Sequence, residues 1–262
     1  MSTEQMEREG MKRLAYGEEE LQFGELYVPE GAGPWAVMIL IHGGFWRAPY
    51  GLALMTGLAE DLVKRGLAVW NIEYRRVGDA GGGWPGTLLD VAQAADHVRR
   101  LGEMYPLDLQ RVVSVGHSAG GHLALWLAAR AQLEARDTTP LKLVGVVSLA
   151  GAMDLEHVWS LKLGNGAAAE LLGGSPKSVP ERYEAASPAR HLPLGLPQVL
   201  IHGTEDDRVP LIVSEAYREK ASAAGDSVKL VVLDGADHFV LIDAASAAWE
   251  RAVKEIWELL GL

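Results

Sequence analysis

The chain has 262 residues, a net charge of −11 and no cysteine. The acidic balance and the lack of a basic cluster argue against nucleic-acid binding, and the missing cysteines exclude disulfides, thiolate metal sites and a cysteine nucleophile. Residues 1–20 are too polar for a secretory signal, and no apolar run nears the roughly 18 residues of a membrane span, so a cytoplasmic protein without a membrane span is expected.

Residues 1–20 are expected to form a frayed or helical arm, followed by one domain over 21–262. Glu25 to Pro29 reads as an edge strand ended by proline. Ala36 to Ile41 is a continuous apolar run, the mark of a strand buried on both faces, and it runs straight into His42-Gly43-Gly44-Phe45-Trp46. Leu52 to Arg65 reads as an amphipathic helix stopped by Gly66. Leu67 to Tyr74 is the next strand. A glycine-rich loop over 78–83 leads to Trp84-Pro85 and a long helix from Gly86 to Tyr105.

Arg111 to Val115 is a strand that feeds Gly116-His117-Ser118-Ala119-Gly120, and a helix follows to about Leu133. Leu143 to Leu149, Gln198 to His202 and Val228 to Leu233 are further strands. Helices are expected within Val209–Ala224 and over Asp243–Leu260. Residues 151–195 break this rhythm with short helical pieces, Ala167 to Leu172 and Glu181 to Ala186, and are read as a small cap insertion. Alternating strands and helices imply a mostly parallel central sheet with helices on both faces.

Gly-x-Ser-x-Gly between a strand and a helix has a chemical reason. The serine must stand on a sharp turn so that its Oγ projects above the sheet edge. Glycine on either side lets the backbone approach closely, and the helix start aims N–H groups at the reacting centre. Serine alone is a weak nucleophile, so it needs a base and a group that orients the base. In chain order, loops after later strands offer both: Asp206 as the acid and His238 as the base. Asp154 is the second-choice acid, and Asp207 suits a helix N-cap.

Acyl transfer also needs donors for a developing oxyanion. The N–H of Ala119, with those of Gly44 and Phe45 from the loop after Ile41, are the candidates. His42 is expected to brace that loop, and Glu73, Arg75 and Arg76 to form an ion-pair cluster beneath it. Trp46, Trp84, Met153 and Trp159 are candidate pocket residues. No cofactor or metal is called for.

With these motifs the chain resembles the α/β-hydrolase superfamily from about residue 21 to the end, and within it the esterase/lipase branch. His42-Gly43-Gly44-Phe45-Trp46 and Gly116-His117-Ser118-Ala119-Gly120 are similar to motifs of kynurenine formamidases (arylformamidases). The resemblance implies an α/β-hydrolase fold and a serine hydrolase acting on a small-molecule ester or amide. The first reading is a carboxylesterase working through a Ser-His-Asp triad. The alternative is an arylformamidase cleaving N-formyl aryl amides; an acyltransferase or a non-catalytic binding protein on the same fold ranks below both.

Overall fold

A computed structural model describes residues 10–133 and 139–262. Eight strands form one sheet in the order β1-β2-β4-β3-β5-β6-β7-β8. They are β1 (Met11–Ala15), β2 (Phe23–Tyr27), β3 (Trp35–Ile41), β4 (Ala68–Ile72), β5 (Leu107–His117), β6 (Gly145–Leu149), β7 (Gln198–Gly203) and β8 (Val228–Leu233). β2 runs antiparallel to both β1 and β4, and every pairing from β4 to β8 is parallel. The sheet therefore gathers the carboxyl ends of β3 to β8 along one edge, where open α/β sheets carry their sites.

Two expectations are corrected at the amino-terminal end. The expected arm over residues 1–20 holds a strand, β1, in its described part, and residues 1–9 lie outside the described residues. β1 takes the edge position expected of the segment from Glu25, and β2 has a neighbour on each side. Lys12 and Arg13 stand exposed on β1, as charged side chains commonly do on a sheet edge.

The strand interiors follow from two-residue alternation. On β3, Val37, Ile39 and Ile41 enter one hydrophobic core, and Ala36, Met38 and Leu40 enter the other. Both faces are covered, which is why this strand reads as an unbroken apolar run. α2 (Gly86–Met104), α3 (Ala119–Leu133) and α7 (Ile212–Ala223) pack on the first face, and α1 (Thr56–Lys64) and α8 (Ala247–Leu260) on the second. A 3-10 turn, Leu52–Met55, leads into α1, so the expected helix from Leu52 is a turn followed by a shorter helix. α3 is buried on all sides from Ala119 to Arg130.

Between β6 and β7 the strand–helix alternation stops. Three short helices stand there: α4 (Leu155–Ser160), α5 (Ala167–Leu172) and α6 (Pro180–Ala186). Leu155, Val158, Leu171, Leu172 and Tyr183 join the first core. The Trp126 indole N–H donates to the Ala185 carbonyl at 2.9 Å, and the Trp84 amide donates to the Leu171 carbonyl at 2.8 Å. The insertion is thus bonded both to α3 and to the loop before α2. Among the described residues no helix is long and apolar enough to cross a membrane.

Candidate active site

Ser118 follows β5 directly and forms the turn into α3. Its φ is +55°, a left-handed value that non-glycine residues rarely adopt. The glycines around it are there for space. A Cβ on Gly116 would lie 2.0 Å from the Gly120 carbonyl oxygen, and one on Gly120 would lie 2.0 Å from the Ile41 carbonyl oxygen. The Ser118 amide donates to the Leu149 carbonyl at 2.8 Å, which ties the turn to the end of β6. α3 starts at the next residue, so the Ala119 N–H has no acceptor within its own helix.

Asp206 and His238 come from the loops after β7 and β8. The His238 Nδ1 and the Asp206 Oδ2 are 2.6 Å apart in buried surroundings. The other carboxylate oxygen accepts the amides of Arg208 and Val209 at 2.9 and 2.8 Å. One oxygen of Asp206 therefore closes its own turn while the second holds the imidazole. His202 braces the pair from below: its Nε2 donates to the Val209 carbonyl at 2.7 Å and stands 3.4 Å from Asp206 Oδ2. Burial by itself raises the pKa of Asp206, but the bonds from His202, His238 and the Val209 amide outweigh it and hold the carboxyl well below the usual range.

The remaining acids separate cleanly from this pair. Asp154 caps α4 through the His157 amide at 3.2 Å and ion-pairs with Lys220. Asp207 is exposed beside Arg208, and α7 has no side-chain cap, so the expected capping role of Asp207 is corrected.

His117 links the turn at Ser118 to the loop of His238. Its Nε2 donates to the His238 carbonyl at 2.9 Å, and the two rings are 4.5 Å apart. Burial first, and the neighbouring His238 second, lower the His117 pKa to about 3.

The loop after β3 lies against Ser118. A Cβ on Gly43 would sit 2.9 Å from the Ser118 Cβ. Gly44, Phe45 and Trp46 follow with φ of +107°, +51° and +57°. Among the described residues no protein acceptor takes the Gly44 or Phe45 amide. The scaffold beneath is polar and buried. His42 lies between the Gly43 carbonyl and Glu73 Oε1, 2.8 Å from each, and stacks on Tyr74. Tyr74 donates to the His42 carbonyl at 2.8 Å, and Arg76 pairs with Glu73 at 3.1 Å.

Two expected pocket residues are corrected. Trp46 is fully buried, its indole N–H donating to His122 Nδ1 at 3.2 Å. Met153 is also fully buried, with its sulfur 3.6 Å from Ser148 Oγ. Neither presents surface to a ligand. Trp84 is half-buried against the first core, and Trp159 is exposed on α4. Arg47, which the sequence did not single out, reaches the insertion, bonding the Gly164 carbonyl and Glu170 at 2.7 Å each. Its partners lie more than a hundred residues away in the chain, and no local pattern announces them.

A central, mostly parallel sheet with a serine turn at the end of an inner strand defines an α/β-hydrolase. A BD-FAE family model matches residues 25–221, well over half of the chain, and the chain belongs to that family. Its curated relatives include a probable isoprenylcysteine alpha-carbonyl methylesterase of rice (Oryza sativa subsp. japonica), 28% identical over 88% of this chain and 58% of its own length. Another is the esterase LipC of Mycobacterium tuberculosis, 27% identical over 89% of this chain and 61% of its own length. The chain thus spans little more than half the length of these relatives. Among solved structures, a carbohydrate esterase from gut microbiota superposes with a TM-score of 0.81 at 22% identity, covering 95% of each chain. Esterase 2 of Thermogutta terrifontis with propionate bound gives 0.78 at 24% identity over 97% of this chain and 94% of its own.

Proposed function

We propose that the chain hydrolyses carboxylic esters through an acyl-enzyme on Ser118. The observation that carries this reading is the buried 2.6 Å contact between His238 Nδ1 and Asp206, with the His238 carbonyl bonded to the residue before Ser118, itself held at a left-handed turn. A carboxylate on Nδ1 fixes the proton there and leaves Nε2 free to act as the base. His238 takes the Ser118 proton as Oγ bonds to the ester carbonyl carbon. The amides of Ala119, Gly44 and Phe45 receive the oxyanion. The intermediate collapses, the carbon–alkoxy bond breaks, and His238 returns the proton to the departing alcohol. Water repeats the sequence on the acyl-enzyme and releases the carboxylic acid and Ser118.

The names of the relatives support esters as the substrate class. The insertion between β6 and β7 is read as a cap over the site. The likeness of His42–Trp46 to formamidases makes an N-formyl aryl amide the second substrate to try.

The test is turnover of p-nitrophenyl butyrate and N-formylkynurenine by the protein and its Ser118→Ala variant. Ester cleavage with kcat/KM above about 10⁴ M⁻¹s⁻¹, falling by about 10⁴-fold or more in kcat in the variant, is expected. Efficient deformylation with slow ester cleavage would move the substrate class to formamides. A variant with near-normal activity would overturn the assignment of Ser118. A competing alcohol in the assay separates hydrolysis from acyl transfer.

A further inference from the structure

Ester hydrolysis as described leaves one buried polar side chain of the site unused. His117 occupies the position before the nucleophile, where the turn itself asks for no particular side chain. It is 2% exposed, and among the described residues its Nδ1 has no hydrogen-bond partner. A buried acceptor left unpaired is unfavourable, so an apolar residue would fill this place at less cost to folding. The bond that the ring does make is informative. A carbonyl can only accept, so Nε2–H of His117 donates to the main chain of His238 at 2.9 Å. The unpaired Nδ1 follows from that tautomer.

Among the described residues no other hydrogen bond joins the backbone of His238 to the turn at Ser118. Its loop follows β8, which pairs with β7 alone, and is tied to the loop after β7 where the Glu205 amide donates to the Ala236 carbonyl at 3.0 Å. Asp237 closes the loop on itself by accepting the amides of Phe239 and Val240, both at 2.9 Å. Asp206 grips the His238 ring and so sets its rotation. The distance of the base from Ser118 is a separate variable, and His117, covalently next to Ser118, spans it. The rings of His117, His238 and Phe239 pack together, with centroids 4.5, 5.3 and 6.3 Å apart.

We propose that His117 is a positioning residue, whose Nε2–H holds the main chain of His238 at a fixed separation from Ser118. The role rests on the Ser118–His238–Asp206 reading given above. Buried and held neutral, the His117 ring keeps the same donor while His238 gains and loses a proton.

The test compares His117→Phe, which keeps a ring but removes the donor, with His117→Gln, whose amide can reach the same carbonyl. Both are assayed on p-nitrophenyl butyrate beside Ser118→Ala, with thermal midpoints measured for all. Misplacement of a base by a fraction of an ångström to 1 Å lowers rate by up to about a hundredfold. The expected result is a kcat about 10- to 100-fold lower in His117→Phe at a KM within about twofold, with His117→Gln recovering most of it. If His117→Phe does not fold, His117→Ala takes its place: recovery from Ala to Gln supports the anchor, and equal rates in the two overturn it. A folded His117→Phe with full kcat, alongside an inactive Ser118→Ala, overturns this inference alone. Activity surviving in Ser118→Ala overturns the serine-hydrolase reading and this inference with it.

Discussion

The two halves of the candidate site are held by different kinds of force. The acid–base half is a matter of side chains: Asp206 and His238 meet through one short buried contact, and His202 supports them with a second. The loop half is a matter of backbone. Gly44, Phe45 and Trp46 take left-handed conformations in succession, and a buried raft of His42, Glu73 and Tyr74 stands beneath them. Electrostatics can be removed from the first half by changing one atom. The second half responds to shape, and the identity of its exposed side chains matters less than the room its backbone needs.

Four experiments test that contrast. Asp206→Asn keeps an oxygen for the Arg208 and Val209 amides while taking the charge from His238. The expected loss in kcat is about 10⁴-fold, accompanied by a lower thermal midpoint as the bonds to the charged carboxylate are lost, and a small loss in kcat would show that the pair is not electrostatic in its action. Gly44→Val puts a Cβ where Tyr50 already stands, 2.3 Å from its Cβ, at a φ of +107°. A fall in kcat of about 10²- to 10³-fold is expected, with Phe45→Ala far milder. If Phe45→Ala proves the worse of the two, the loop works through its side chains.

The third experiment concerns acid. His117 and His122 are wholly buried, and burial lowers their pKa values to about 3 and about 4 from 6.5. The unfolded chain binds protons at these positions below about pH 6.5 and the folded chain does not, so stability falls as pH drops from that point. By pH 4 the loss is on the order of a few kcal/mol for each histidine. Asp206, whose folded pKa is depressed, adds to the loss only below its ordinary range near about pH 4. Thermal midpoints followed from pH 7 to 4 should fall, and His122→Gln should flatten the curve; an unchanged slope would remove His122 from the account. The smallest effect is expected from Arg47→Ala. Its contact with Glu170 is half-exposed, and such pairs contribute about 0.2–1 kcal/mol, so a rate change above roughly fivefold would make the insertion a working part of the loop.

The same contrast explains what the sequence discloses. Ser118, Asp206 and His238 stand after strands, in an order and with side-chain chemistries that leave few rivals, and the structure brings Asp206 and His238 into contact. The bounds of β8 and α5 are also readable, because alternation and helix-forming runs are local. The pocket is different. Which way Trp46 points depends on two successive left-handed residues, Phe45 and Trp46 itself, and periodicity carries no information about them. Its burial against His122 is a tertiary fact. α4 lies in a stretch with no sustained apolar period, so Trp159 could be named but not placed. β1 escaped because Lys12 and Arg13 interrupt its apolar residues, and its partner strand supplies the order that its own composition lacks.

β8, from which His238 is suspended, has a neighbour on one side only, while β5 beneath Ser118 is paired on both. Val232 on this strand remains 46% exposed. Edge strands open at lower free energy than interior ones, and amide exchange along β8 should precede exchange along β5. Gentle warming is then expected to release His238 while the hydrophobic cores stay closed. On the proposed mechanism, catalytic rate is expected to report fraying at one margin of the sheet ahead of the cooperative unfolding transition.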